Sequence, residues 1–372
     1  MRILHVMASC ACVSGVAQTV MNYYRQISSD VSFDFLVFWD ESSSFRQEIE
    51  QMGGRLFLTP EPSVCSLRKY WRFVDHFFAE HANEYAAVQL HDLYLNPVIF
   101  PIAKKYGVNM RIAHSHSSKF SESSTSALRN WLLYRSLPCL STHFWAASHI
   151  AGKTAFGARI DSAGKITVVN NAISIERFAY SVSDREKIRR EFGISDDAFV
   201  LGHIGRFTLP KNHEFLLRVF SEVKQQRPDS YLLLIGADGT LLPSVRRRAS
   251  ELGIADSVIF TGLRSDIGAL LSAMDAFCLP SRFEGLGIAL IEAQANGLPC
   301  LSSDHVPSEA RILPTHRQLS LYDPAKRWAD TLLSFSSERF KNPENLVTKH
   351  GFNIEHEARM LVDRYQKITG AL

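Results

Sequence analysis

Short apolar runs alternate with amphipathic helical stretches along all 372 residues, and that alternation limits the possible folds more than any other feature. In the first half the runs are Ile3–Met7, Phe33–Phe38, Arg55–Leu58, Ala87–Leu90, Met110–His114, Thr142–Ala146 and Ile166–Val169. In the second they are Phe199–Ile204, Tyr231–Ile235, Val258–Phe260, Ala276–Leu279 and Pro299–Leu301. Stretches such as Gln18–Ile27, Tyr70–Glu80, His213–Gln226 and Leu242–Leu252 carry the helical period between them. Apolar strands divided by helices predict an α/β protein whose parallel sheets are covered on both faces. The length suits two domains, each with its own core. Asn170–Phe178 gives way to the charged run Asp184–Glu191, so the halves are expected to divide there, as residues 1–180 and 181–354. An amphipathic helix closes the chain over residues 355–372.

Charge and cysteine usage remove several classes of function. A net charge of +3, with no zinc-finger spacing and no polybasic tail, argues against nucleic acid as a partner. The six cysteines include no Cys-x-x-Cys pair, and several stand in apolar runs, as free thiols do in a reducing cytoplasm. No apolar run approaches the ~20 residues of a membrane helix. The first ten residues loosely mimic a lipoprotein signal. Their apolar stretch is shorter than the ~7 residues such a signal needs and is broken by His5, so they read as a strand. The helix around Leu67–Phe73 mixes Arg68, Lys69 and Arg72 with Tyr70, Trp71 and Phe73, and could lie on an anionic membrane face.

The densest chemistry lies at residues 281–299. Glu284 and Glu292 stand eight apart, Gly285 and Gly287 flank Leu286, and Pro280 ends the preceding strand. Ile288, Leu290, Ile291 and Ala295 mark a helix that closes near Gly297. Helical positions eight apart lie about 12 Å apart along the axis and differ by about 80° in azimuth, so Glu284 is expected at the helix mouth and Glu292 two turns along. Such carboxylates can grip separate hydroxyls of one ligand while free N–H groups between them meet phosphate. Upstream, His203-Ile204-Gly205-Arg206-Phe207 ends a strand, and Lys211-Asn212 follows. Two cations in one strand-end loop suit a diphosphate. Lys211 also stands at a helix start, where a cation is electrostatically unfavourable, so a ligand is expected to offset it. Gly236 and Gly262-Leu263 follow later strands, and Gly15 sits between the first strand and its helix.

These residues resemble the Glu-x7-Glu and Gly-Arg…Lys-Asn patterns of the retaining glycosyltransferases of family 4. The match is strong from about 199 to 310 and looser before it. Glu-Ala-Gln-Ala-Asn-Gly-Leu-Pro (292–299) and His-Ser-His-Ser (114–117) look like the bacterial enzymes of capsule and exopolysaccharide assembly. The resemblance implies the GT-B fold, two Rossmann-like doubly wound domains facing across a cleft. It implies transfer of a hexose from a nucleoside diphosphate sugar to a saccharide hydroxyl, on a lipid-linked acceptor in many relatives. In that scheme Arg206 and Lys211 stabilise the leaving diphosphate, Glu284 holds sugar hydroxyls and Glu292 binds the ribose. Gly285, Leu286 and Gly287 offer backbone N–H groups, while Gly205, Gly236 and Leu263 border the nucleotide. His116 faces the transferred sugar, with His114 as the alternative, and Gly15 approaches the donor. Relatives usually carry two glycines where this chain has Ser14-Gly15. No metal or other cofactor is expected, since no Asp-x-Asp motif stands at a strand end. The implied location is the cytoplasm, with peripheral contact at the inner membrane face. A sugar-nucleotide epimerase and a non-catalytic partner subunit are the competing readings.

Overall fold

The computed structural model describes residues 1–370 except 13, 42, 64, 118, 122 and 337. Of the segments singled out above, Val13, in the loop between the first strand and Gly15, and the last two residues fall outside. The chain divides into two compact units, Met1–Ala172 with Ile354–Leu372, and Ile173–Asn353. The division falls at 172/173 rather than 180/181 because Ile173 and Phe178 are buried in the core of the second unit.

The first unit holds seven parallel strands among the described residues: β1 (Arg2–Val6), β2 (Ser32–Val37), β3 (Leu56–Leu58), β4 (Ala87–Leu90), β5 (Met110–Ser115), β6 (His143–Ala146) and β7 (Ile166–Val168). Their order is β3-β2-β1-β4-β5-β6-β7. The second holds six: β8 (Phe199–Ile204), β9 (Ser230–Ile235), β10 (Val258–Gly262), β11 (Ala276–Leu279), β12 (Cys300–Ser303) and β13 (His316–Leu319), in the order β10-β9-β8-β11-β12-β13. Both sheets reverse direction beside their first strand, at β1/β4 and at β8/β11. A doubly wound sheet opens a crevice for ligands at the carboxyl ends of such a switch point. Strand β13 escaped the sequence reading because His316-Arg317-Gln318-Leu319 is a half-exposed edge strand with no apolar run.

Alternation within each strand builds both faces of each sheet. Leu4 and Val6 join the apolar cluster around Val74, Phe78 and Phe100, while Ile3 points the other way, toward Tyr24, Phe33 and Trp145. In the second unit Val200, Phe277 and Leu279 face one layer, and Leu201, Ala276 and Cys278 the other. The closing helix Ile354–Thr369 belongs to the first unit. Ile354, Ala358, Leu361 and Tyr365, spaced for one helical face, bury there beside Val20 and Tyr24. Its Tyr365 hydroxyl donates to Gln89 Oε1 at 2.5 Å, and Arg364 donates to the Val168 carbonyl.

Candidate active site

In the second unit the loops after β8 and β11 are bound to each other. Lys211 Nζ lies 2.7 Å from Glu284 Oε1, and Ser281 Oγ donates to the same oxygen at 2.6 Å. Asn212 Nδ2 donates to the Pro280 carbonyl, the Arg282 N–H to the Pro210 carbonyl, and Ser303 Oγ to the Ser281 carbonyl. Asn212 reaches this position through a left-handed backbone (φ 56°), a conformation that asparagine tolerates better than most residues. The lysine that seemed misplaced at a helix start therefore has a protein partner, the Glu284 carboxylate. Arg206, one loop turn earlier, is exposed, and its guanidinium has no hydrogen bond or ion pair among the described residues. The pair Lys211–Glu284 is nearly neutral by itself, so Arg206 supplies the uncompensated positive charge.

Two glycines let these loops pack backbone to backbone. A Cβ at Gly236 would stand 2.3 Å from the Gly205 carbonyl oxygen, and one at Gly205 would press on the Lys211 stem at 2.9 Å. Gly236 has no room for a side chain, and one at Gly205 would displace Lys211. Gly262 is the last residue of β10, and the exposed Leu263 follows it.

Glu284 is not at the mouth of a helix. The helix begins at Ile288, four residues later, after Gly287 turns left-handed (φ 87°). The helical azimuth and rise expected between Glu284 and Glu292 therefore do not apply: a loop, not a helix, spans the first half of that interval. Leu286 turns its side chain into the core, leaving only its backbone for a ligand. The N–H groups of Gly285 through Ile288 have no acceptor among the described residues, a ready anion site at a helix start.

Glu292 is partly exposed, and its carboxyl has no hydrogen-bond partner among the described residues. Burial pushes it up to about 7, against the pull of Arg177 and Lys211. A folded-state value above the unfolded one means the native protein holds the proton more tightly, so stability falls as pH rises from about 4.5 toward 7. Glu292→Gln is expected to flatten that decline in thermal unfolding measured from pH 4.5 to 7.5. An unchanged slope would place the titration elsewhere. A cavity of about 330 Å³ in the same unit is lined by Asn212, His213, Arg247 and Arg282, and by none of Arg206, Lys211, Glu284 or Glu292.

The first unit carries a histidine cluster at its own switch point. His5 Nδ1 and His91 Nε2 are 2.9 Å apart, and His91 Nδ1 and His116 Nε2 2.8 Å apart. Gln89 Nε2 donates to His114 Nδ1 at 2.7 Å. His114 is buried on β5, whereas His116, just past the strand, is partly exposed. Burial lowers His116 to about 4 and His5 to about 3, so both rings are neutral near pH 7. Beside them burial raises the Asp92 carboxyl to about 6. His91, Asp92 and His5 escaped the sequence reading. The strand-end position of Gln-Leu-His-Asp (89–92) was the available signal, but only pairing of β1, β4 and β5 shows the three strands' histidines to be neighbours. Gly15 opens the helix Gly15–Ile27, with nothing within 4 Å of where its Cβ would stand. Ser14, in place of a second glycine, caps that helix by accepting from the Ala17 N–H.

Two doubly wound parallel sheets with ligand-ready loops at their switch points define a GT-B-type architecture. Solved structures share it along the whole chain. Anabaena HepE in complex with UDP and glucose superposes with a TM-score of 0.80 at 18% identity, over 99% of this chain and 100% of that one. The lipopolysaccharide outer core galactosyltransferase WaaB gives 0.72 at 17%, with full coverage of both. Residues 184–349 match the family of glycosyl transferases group 1. EpsF of Bacillus subtilis, a provisionally named glycosyltransferase, is 32% identical over 338 residues, 89% of this chain and 86% of its own. An Escherichia coli enzyme named UDP-Gal:alpha-D-GlcNAc-diphosphoundecaprenol alpha-1,3-galactosyltransferase is 30% identical over 143 residues, 38% of this chain and 37% of its own. The chain belongs to the group 1 glycosyl transferases.

Proposed function

We propose that this glycosyltransferase moves a hexose from a UDP-sugar to a hydroxyl of a lipid-linked saccharide, with retention at the anomeric carbon, in surface polysaccharide assembly. The observation that carries the reading is the Lys211–Glu284 contact past the carboxyl ends of β8 and β11, with free Arg206 in one of those loops and the unpaired Gly285–Ile288 N–H groups in the other. The UDP and glucose in HepE and the diphosphoundecaprenol-linked acceptor in the Escherichia coli enzyme's name support the donor and acceptor classes.

In this scheme the bond from the anomeric carbon to the diphosphate oxygen breaks as the acceptor oxygen attacks the same face. The acceptor proton passes to a departing phosphate oxygen. Arg206, Lys211 and the loop N–H groups meet the charge that develops on the diphosphate, so no metal ion is needed for it. Glu284 holds sugar hydroxyls and steadies Lys211, and Glu292 accepts from the ribose. His116 is assigned to the transferred sugar by the family pattern. Exposed Trp71 and Leu67 beside Arg68, Lys69 and Arg72, with exposed Leu128, Trp131 and Leu132 on a second helix, suit contact with an anionic membrane. No helix among the described residues is long and apolar enough to cross one.

Thermal shift with a panel of nucleotide sugars tests the donor. A ligand at a hundred times its Kd stabilises the native state by about 2.7 kcal/mol, so one UDP-sugar is expected to raise Tm by several degrees, and by less in Arg206→Ala. No stabilisation by any nucleotide sugar would sink the reading. Release of free sugar and nucleotide from donor alone, with no transfer to an acceptor, would favour the epimerase. Sedimentation with anionic vesicles, weakened in Trp71→Ser, checks the membrane contact.

A further inference from the structure

We propose that His91, His114 and His116 form a binding site for a zinc-class transition metal ion. An ion held there takes His116 away from the sugar and inhibits transfer, a consequence that rests on the function proposed above. The three side chains each offer a ring nitrogen, and these donor atoms all lie within 4.8 Å of one another. Nitrogens bound to one tetrahedral zinc at about 2.0–2.1 Å sit about 3.3 Å apart. His91 Nδ1 and His116 Nε2, at 2.8 Å, are already near that separation. Side-chain rotations of about an ångström would admit the ion.

Two further features favour an ion over a closed hydrogen-bond network. His114 Nε2, the nitrogen open to an ion, is buried with no hydrogen-bond partner among the described residues, so the network leaves it unused. Two of the three rings also have outer partners of the kind that hold metal-ligating imidazoles. His91 Nε2 rests against His5, and His114 Nδ1 against Gln89, which in turn holds Tyr365. Such outer partners fix ring orientation and ligand basicity. Binding through His114 Nε2 places that ring's proton on Nδ1, with the Gln89 amide turned so that its oxygen accepts it. An all-imidazole set selects zinc, cobalt, nickel or copper over magnesium and calcium, which prefer oxygen. Three ligands leave a fourth position for water. Binding replaces the His91–His116 hydrogen bond, so the ion is a reversible inhibitor of the unliganded cluster and not a requirement for turnover.

Full-length protein stripped with chelator and titrated with Co²⁺ provides the test, since four-coordinate cobalt shows intense visible ligand-field bands. Zn²⁺ is then measured by competition and by equilibrium dialysis. One ion per chain is expected, with affinity at least tenfold weaker in His91→Gln and in His114→Gln. His116→Gln, at a partly exposed position, is the control should the buried variants lose their fold by circular dichroism. Affinity unchanged in all folded variants, or no stoichiometric binding, overturns the site. Stoichiometric zinc is also expected to inhibit sugar transfer by the wild type and to leave folded His114→Gln active. Bound zinc with undiminished turnover overturns the inhibitory role. Metal binding is read without donor or acceptor, so a failure of the transferase reading leaves this measurement intact.

Discussion

Lys211→Ala is expected to cut kcat/KM by about 30- to 800-fold, the equivalent of about 2–4 kcal/mol of transition-state binding, as for loss of one oxyanion donor. The loss should fall mainly on kcat, because charge builds on the leaving diphosphate only as the bond breaks. Lys211 also holds Glu284, whose side chain is mostly buried, so this variant is expected to lose some stability as well. Arg206→Ala separates the two effects. Arg206 is exposed and unpaired among the described residues, so its loss should reduce turnover by a similar factor at an unchanged Tm. Steady-state kinetics beside thermal unfolding decide the matter. Full turnover in both variants would remove the cationic pair from the mechanism.

The largest effect on folding is expected from Asp275→Ala. Arg189 is buried, with its Nη2 2.7 Å from Asp275 Oδ2 and its other donors on the carbonyls of Ala273, Ser195, Asp196 and Ala198. Asp275 also accepts from Arg185 and from the Val200 N–H, which ties the entry of β11 to β8. Removing the carboxylate strands a buried guanidinium, at a cost of about 3–5 kcal/mol. Replacing both partners by apolar residues, as in Arg189→Met with Asp275→Leu, is expected to cost less than Asp275→Ala, because the buried guanidinium goes with its partner and the part-exposed Arg185 can turn to water. Chemical denaturation of the single and double variants measures the difference, and equal losses would show that the pair is not what the core depends on.

The local code was legible where one residue's neighbours in sequence are also its neighbours in space. The parallel strands and the helix that closes just before Gly297 follow from apolar period and a left-handed glycine, whereas the division at 172/173 rather than 180/181 depends on the burial of Ile173 and Phe178. The edge strand β13 was not legible, since a strand paired on one side and half exposed needs no apolar run. The course of Glu284 was misread for a related reason. Residues 284–287 resemble a helix start in composition, and only the turn at Gly287 shows that the carboxylate precedes it.

Membership in the glycosyl transferases and the identity of Arg206, Lys211, Glu284 and Glu292 as candidate residues came from sequence alone, because residue type and spacing within one strand–loop–helix unit are written in the chain. Tertiary structure decided which of them touch. Lys211 meets Glu284 across 73 positions, and His5, His91 and His116 meet across 111. Those contacts arise from the order in which β8 and β11, and β1, β4 and β5, lie side by side. Strand order is set by the packing of helices over the whole sheet, and no local run of residues encodes it.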